Sequence, residues 1–346
     1  MKFEWITNWD EVWNDNFIHQ WNEWMDKSKT AHVFFNPDVA KVWVDTFMPI
    51  RDIKPMFCIA KYNNTTIFLP LILWRKNWKN AFIKSIIPLG YSDYDYHDPI
   101  IIGDEINMNL FWEKLIDNIY KNFSYDEFFI DGIYNNNLID KNVFFKSDIA
   151  PYIDLRCFNT FDDFLMSLKS KARNDYKRQL KRLSEIGNIE YKVFLLEEKT
   201  EAINELNDML YFHSKRWPNA YKAPYYHFNL INNLLDKNLL HFSTLKLNNT
   251  TISWNLSFKY KKKFYFYMPA YNEKYNKYSP GKLIMFLSLK DSIEKNFLIY
   301  DLLKGAENYK KQLPVIENDL FNLYIKNTNL LSIFKFKINS FKRLIK

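Results

Sequence analysis

Apolar positions along the chain switch repeatedly between a strand-like and a helix-like period. Residues 2–6 alternate and predict a short strand. Trp9, Trp13, Phe17 and Trp21 then recur every four residues, which predicts one helix over 9–25 with an aromatic core face. Thr7, with Asp10 three positions on, can cap it. A second helix is expected after Asn36, where Pro37 suits the first turn. Apolar runs at 54–61 and 67–74 flank Asn63-Asn64 and predict a hairpin. Residues 81–102 keep no steady period and end in YSDYDYHDPII; a helix over 108–122 and a strand over 127–130, stopped at Asp131-Gly132, follow.

A Ser/Asp/Pro-rich passage at 146–151 marks the expected domain boundary. Beyond it the pattern predicts a basic amphipathic helix over 161–186, capped near Asn159 or Thr160, and another over 201–216. WPNAYKAPYYHF reads as a loop before a helix near 229–235. Strands at 241–247, 252–259 and 264–269 lead through a polar turn to Ser279-Pro280-Gly281, which opens a helix to 295. A strand over 297–303 ends at Lys304-Gly305, and a short helix carries Glu307, Tyr309 and Lys310.

The second half repeats the first. KYNNTTIFLPL (61–71) and KLNNTTISWNL (246–256) agree at seven of eleven positions, both at hairpin turns where Asn tolerates positive φ. Each copy runs hairpin, irregular segment, helix, then a strand ending in a polar-Gly pair. The order predicts an α/β protein of two tandem domains, 1–150 and 151–320. Residues 321–346 form a basic amphipathic tail, expected to pack on the first domain or to lie on a membrane or partner surface.

Composition removes whole classes of chemistry. The 346 residues include six glycines, at 90, 103, 132, 187, 281 and 305, and no two lie closer than 13 residues. That spacing excludes G-x-G-x-x-G, G-x-x-x-x-G-K-[ST] and G-x-S-x-G. Cys58 and Cys157 stand alone, and the six histidines form no pair at metal-ligand spacing, so neither a disulfide framework nor a metal is expected. The net charge of +8 suits phosphorylated small molecules, nucleic acids or an anionic membrane face. MKFEWITNWDEVW does not read as a signal peptide, and the longest apolar run, 67–74, includes Pro70, so the expected location is a reducing cytoplasm.

Residues 264–312, FYFYMPAYNEKYNKYSPGKLIMFLSLKDSIEKNFLIYDLLKGAENYKKQ, resemble the signature of the Fem-type, cellulose-biosynthesis (CelD/BcsL-like) branch of the GNAT acyltransferases. The shared order is a strand, a Ser-Pro-Gly helix start, a strand ending in Asp, and Gly-x-x-x-Tyr-Lys. FFNPDVAKVW (34–43), YSDYDYHDP (91–99), SKARNDYKRQLKR (170–182) and FHSKRW (212–217) echo the same branch, so the likeness spans most of 30–315. It implies two GNAT-like domains, each a mixed central sheet flanked by helices, with acyl transfer to an amine or hydroxyl in the cleft between them.

Physical chemistry and the resemblance together nominate a site. A helix N-terminus offers unpaired N–H groups to a pyrophosphate, so Ser279, Pro280, Gly281 and Lys282 are expected to hold acetyl-CoA or another acyl-CoA, with Lys274 and Lys277 at hand. The usual GNAT loop, Gln/Arg-x-x-Gly-x-Gly/Ala, is replaced by Tyr278-Ser279-Pro280-Gly281; Fem relatives use aminoacyl-tRNA instead. The first domain reads HDPIIIGDEIN at the matching place, and no second cofactor site is expected there. GNAT-like folds meet the thioester carbonyl with strand N–H groups, here expected around Met268, Pro269 and Ala270. The resemblance gives Lys310 as the Fem-type catalytic lysine. Tyr309 is then a proton donor to the thiolate, Asp301 an orienter of the amine, and His213 or His97 a base. Arg173 and Lys177, four apart on one helix face, could grip a diphosphate on the acceptor, with Tyr96 and Trp217 beside it.

The expected activity is N-acyl transfer, of acetyl above all, to an amino group, foremost that of a nucleotide-linked amino sugar for surface polysaccharide, by direct attack because no activated Cys or Ser is visible. Two readings stay open: a Fem-like ligase using charged tRNA, the only case in which nucleic acid is expected, and a non-catalytic module for nucleic acid or anionic glycan.

Overall fold

Alternating strand and helix periods resolve into two compact units, Met1–Asp148 with Asp319–Lys346, and Ile149–Asn318. The computed structural model describes residues 1–134, 143–218, 220, 223 and 225–344.

The first unit begins β1 (Lys2–Ile6), α1 (Trp9–Val12), α2 (Asp15–Lys27) and α3 (Pro37–Phe47). The single helix expected over 9–25 breaks at Trp13-Asn14, because the Asn14 side chain accepts from Asn16 N–H and starts a new helix. The aromatic stripe still turns inward: Trp21 is fully buried, edge-on to Phe57 and Phe68. The hairpin β2 (Asp52–Tyr62) and β3 (Thr65–Arg75) is in the expected register, with Tyr62 opposite Thr65. β4 (Lys84–Pro88), β5 (Ile100–Ile102), α4 (Met108–Asn122) and β6 (Glu127–Tyr134) complete this half, with β4 and β6 parallel. β6 does not stop at Asp131-Gly132 as expected. It bulges through that pair opposite Asn322, whose side chain accepts the Gly132 N–H at 3.2 Å.

The strand β7 (Phe144–Asp154) leads into the second unit. The expected long helix over 161–186 is two helices, α5 (Phe161–Ser167) and α6 (Ser170–Ser184), parted at Leu168-Lys169. Thr160 and Asp163 form a capping box on α5. Next come β8 (Ile189–Val193), α7 (Lys199–Arg216), α8 (Tyr226–Leu234), β9 (Leu240–Leu247), β10 (Thr250–Tyr260), β11 (Lys263–Tyr271), α9 (Pro280–Glu294) and β12 (Ile299–Asp301). Asn219, Tyr221, Lys222 and Pro224 of the expected loop lie outside the described residues. Strand order here is β8-β9-β10-β11-β12, with β11 and β12 parallel; the first unit repeats it as β1-β2-β3-β4-β6. One face of the second sheet carries α5, α6 and α9 over a core of Phe164, Tyr176, Phe264, Phe286 and Tyr300.

The segment expected as a tail is instead β13 (Ile316–Lys326) and α10 (Leu330–Leu344), and it belongs to the first unit. β13 runs antiparallel to β6 and buries Leu320 and Leu323 completely. β12 likewise takes an antiparallel neighbour, β7. The partner of β6 thus lies, in sequence, beyond the whole second unit, whereas the partner of β12 is the strand that leads into that unit. No helix among the described residues is long and apolar enough to cross a membrane.

Candidate active site

α9 is apolar nearly all round, burying Leu283, Ile284, Met285, Phe286 and Leu289, as suits a helix packed beneath a sheet on one side and other helices on the other. Its start is unusual. Ser279 sits at φ 53°, a left-handed conformation, and its side chain makes no cap hydrogen bond. Pro280 has no N–H, while Lys282 and Leu283 both donate to the Ser279 carbonyl at 3.0 Å. This leaves the Gly281 N–H without a partner among the described residues. A Cβ at Gly281 would come within 2.9 Å of Tyr271 Cδ1, so glycine is what allows that ring to lie over the helix start.

β11 and β12 pair at three positions only, ending at Tyr265 opposite Asp301. Beyond them β11 continues along β10, whereas Leu302 and Gly305 donate to the Pro151 and Ile149 carbonyls. The two parallel strands therefore splay. A bulge sets Phe266 and Tyr267 against Ser257 alone and reverses the phase of β11. Phe266 within it, and Pro269 and Tyr271 after it, accordingly line one cavity of about 280 Å³. The mouth of α9 supplies Ser279, Pro280, Gly281 and Lys282, with Met285 and Phe286 deeper. Ala172, Arg216, Asn276, Tyr309, Gln312 and Leu313 complete the wall.

Of the residues expected from sequence, Pro269, Ser279, Pro280, Gly281, Lys282 and Tyr309 share this cavity. Met268 and Ala270 do not line it. Asn272 N–H donates to the Ile252 carbonyl at 2.9 Å, so by ladder alternation the Met268 and Ala270 amides also turn toward β10. The phase facing the splay falls to Pro269, which has no N–H, and to Tyr271. The strand donors expected around 268–270 are therefore not offered to the cavity.

Lys310 and Asp301, expected as catalytic, do not line the cavity and build the loop after β12. The Lys310 ammonium, 3% exposed, donates to the carbonyls of Leu303 (3.2 Å), Lys304 and Gly305 (both 3.1 Å) and pairs with Glu307 at 2.8 Å. The Asp301 carboxylate accepts Leu303 N–H at 2.8 Å, fixing a turn in which Leu303 has φ 60°. Both groups hold the chain on its course away from β11. Tyr309 does reach the cavity, and burial together with the Glu307 carboxylate pushes its phenol well up, so it stays protonated. His213 on α7 is pushed down to about 4 by burial and then by Arg216. It is neutral at pH 7, and too weak a base to draw a proton from an ordinary ammonium.

Arg173 and Lys177 stay outside the cavity; an Arg173 N–H contacts the Met166 carbonyl at 3.3 Å and Lys177 is exposed. Lys282 is held by Asp175 of α6 at 3.0 Å. Trp217 is exposed at the end of α7. Tyr96 and His97 are buried in the first unit, Tyr96 against Tyr134 and His97 Nδ1 at 2.9 Å from the Asp131 carbonyl. Sequence reasoning missed Arg216, Tyr271, Asn276 and Gln312. Arg216 and Gln312 lay inside quoted segments without a motif role, and the bulge that aims Tyr271 has no sequence mark. Among the described residues no group of three or more His, Cys, Asp or Glu could hold a metal.

The stretch that builds this cavity can be set beside known proteins. Residues 170–311 match the acetyltransferase (GNAT) domain. That assigns acyl transfer as the class of chemistry for the second unit; the finer cellulose-biosynthesis branch is not reached by the match. No curated protein matches the chain. Among solved structures, FemX is similar in fold at a TM-score of 0.63 and 10% identity, covering 98% of this chain and 100% of its own. A conserved protein of unknown function from Bacteroides thetaiotaomicron gives 0.55 and 11%, over 88% of this chain and 97% of that one. The C-terminal domain of a putative lysylphosphatidylglycerol synthetase from Agrobacterium fabrum gives 0.55 and 12%, over 87% and 95%. At such identities the likeness is one of fold.

Proposed function

We propose that the second unit binds an acyl-CoA in the splay between β11 and β12 and transfers the acyl group to an amine. The observation that carries this is one cavity joining an unpaired helix-start N–H, at Gly281, to an apolar slot walled by Phe266, Pro269, Met285 and Phe286. The slot fits an extended thioester arm, and Gly281, with Lys282 beside it, fits its anionic end. When bound, the donor supplies an activated acyl carbon. The chain's own residues do the rest. The walls exclude water and the Gly281 N–H orients the anion; as the amine nitrogen bonds to the acyl carbon and the C–S bond breaks, the protonated Tyr309 hydroxyl hydrogen-bonds the departing sulfur, which takes up the proton shed by the new amide nitrogen. Among the described residues no carboxylate or histidine lines the cavity, and on this reading the amine arrives neutral.

For the acceptor we propose a phosphate-bearing amine, foremost a nucleotide-linked amino sugar of surface polysaccharide assembly. Its support is α6, which with Lys169 at its N-cap carries Lys171, Arg173, Lys177, Arg178, Lys181 and Arg182 around Asp175 and places Ala172 in the cavity wall. A second reading, aminoacyl transfer from charged tRNA, is favoured by one observation: a single free N–H at the start of α9 is a sparse seat for a pyrophosphate. Thermal shift and calorimetry with acetyl-CoA, longer acyl-CoAs and charged tRNA separate the two. Heat and a raised melting temperature with acyl-CoA support the first reading. No response to any pantetheine donor, with salt-sensitive tRNA binding, replaces it by the second.

A further inference from the structure

α10 is an amphipathic helix packed the unusual way round. Two of its polar residues, Ser332 and Lys335, face inward. Ser332 is fully buried and donates to Asp126 Oδ1 at 2.5 Å, and Lys335 reaches Asp126 Oδ2 at 2.8 Å. Asp126 itself, 3% exposed, also accepts the Lys84 N–H at 2.7 Å. Burial opposes its charge, but these donors hold its carboxyl below the usual range, so the anchor is ionised. Its most exposed apolar residues form an outward stripe. Leu330 is 87% exposed, Leu331 63%, Phe334 60% and Phe341 65%, and helical spacing puts all four on one stripe.

The stripe has aromatic and cationic company. Lys342 donates to the Trp78 carbonyl at 2.7 Å and lies over its ring, which brings exposed Trp78, and Phe82 against it, alongside the helix. Lys326, Lys337 and Lys342 flank these apolar groups without a carboxylate partner among the described residues, and α10 carries no acidic residue at all. A protein partner of matching shape would need acidic side chains around an apolar groove. A bilayer with anionic headgroups presents both chemistries over any area, and Trp at the edge of an apolar stripe belongs at that depth.

We propose that the outward face of α10, with Trp78 and Phe82, docks the first unit on an anionic membrane surface. Apolar side chains enter the headgroup boundary while Lys326, Lys337 and Lys342 meet lipid phosphates. The proposal is independent of the acyl-transfer reading.

Co-sedimentation of the full chain with vesicles tests it, using phosphatidylcholine alone or with about 30% phosphatidylglycerol. The full chain should partition onto the anionic vesicles about tenfold better than onto the neutral ones, and lose most of that partition at high salt. Leu331→Glu/Phe334→Glu should cut it about tenfold with circular dichroism and melting temperature unchanged, since both side chains are exposed. Equal behaviour of the double variant and the wild type would overturn the proposal. So would light scattering showing a dimer that the double variant converts to monomer, because the face would then be an interface between copies.

Discussion

The Lys310 ammonium is buried with four oxygen partners, an arrangement that gives it a structural task. Its ion pair with Glu307 counts for little, because the Glu307 side chain is 54% exposed and solvent screens it. The three carbonyls of Leu303, Lys304 and Gly305 dominate, since each would be left without this donor. Lys310→Met should therefore cost about 2–4 kcal/mol and lower the melting temperature by several degrees. A thermal melt checks the point: an unchanged melting temperature would remove the structural task. Gly281→Ala probes the other end of the cavity. The added methyl meets the Tyr271 ring at 2.9 Å and must displace it into the donor slot, costing about 1–3 kcal/mol. Affinity for acyl-CoA should fall about tenfold by calorimetry, each tenfold being about 1.4 kcal/mol. His213 gives a pH test. Its folded value of about 4 lies below the ordinary value of 6.5, so between those pH values the unfolded chain binds more protons and stability falls as pH falls. Below about 4 the loss levels off, having reached on the order of 2–3 kcal/mol. Denaturant titrations at pH 7 and pH 5 should show a shallower acid loss in His213→Gln.

Elements decide which of these residues meet. β11 turns Pro269 and Tyr271 toward α9 only because the bulge at 266–267 shifts its phase, and the Ser-Pro-Gly start matters only because β12 has diverged in front of it. The helix start was legible because Pro, Gly and a preceding polar turn have local causes. The bulge and the divergence arise from pairing with β10 and β7, far away in sequence, and periodicity does not report them. Splitting of the long helix at Leu168-Lys169 has the same origin: Leu168 buries into the core and both new helices pack there. The pair Asp175–Lys282 then ties α6 to α9 at 3.0 Å, with both side chains about three-quarters covered. Asp175→Asn should cost about 1 kcal/mol and release the Lys282 ammonium toward the cavity. The Michaelis constant for an anionic donor should then drop by about two- to threefold, and rise in Lys282→Met, as steady-state kinetics would show.

On the scale of the whole molecule, the repeat at 61–71 and 246–256 pointed to two copies of one strand order, and the two units have that order. What the repeat does not carry is which strand closes each sheet. β13 reads as a basic amphipathic tail because its inward residues, Leu320 and Leu323, lie three apart across a bulge rather than alternating, and the Lys- and Phe-rich α10 follows at once. The physical cause lies in β6, whose outer edge has backbone donors and acceptors to satisfy and finds them on β13, from Glu127 opposite Lys326 to Tyr134 opposite Leu320. Residues 319–346 are thus part of the fold of the first unit rather than an appendage. Truncation after Asn318 removes an entire ladder on β6, the completely buried Leu320 and Leu323, and the Ser332 and Lys335 partners of ionised Asp126. Two lost core leucines cost about 2–5 kcal/mol each, and an unpartnered buried carboxylate adds several more, a sum comparable with the total stability of an ordinary domain. The shortened chain should lose the cooperative melt of the first unit and aggregate through the bared β6 edge, visible by circular dichroism and light scattering. A dispensable tail would leave both measurements as they are in the full chain.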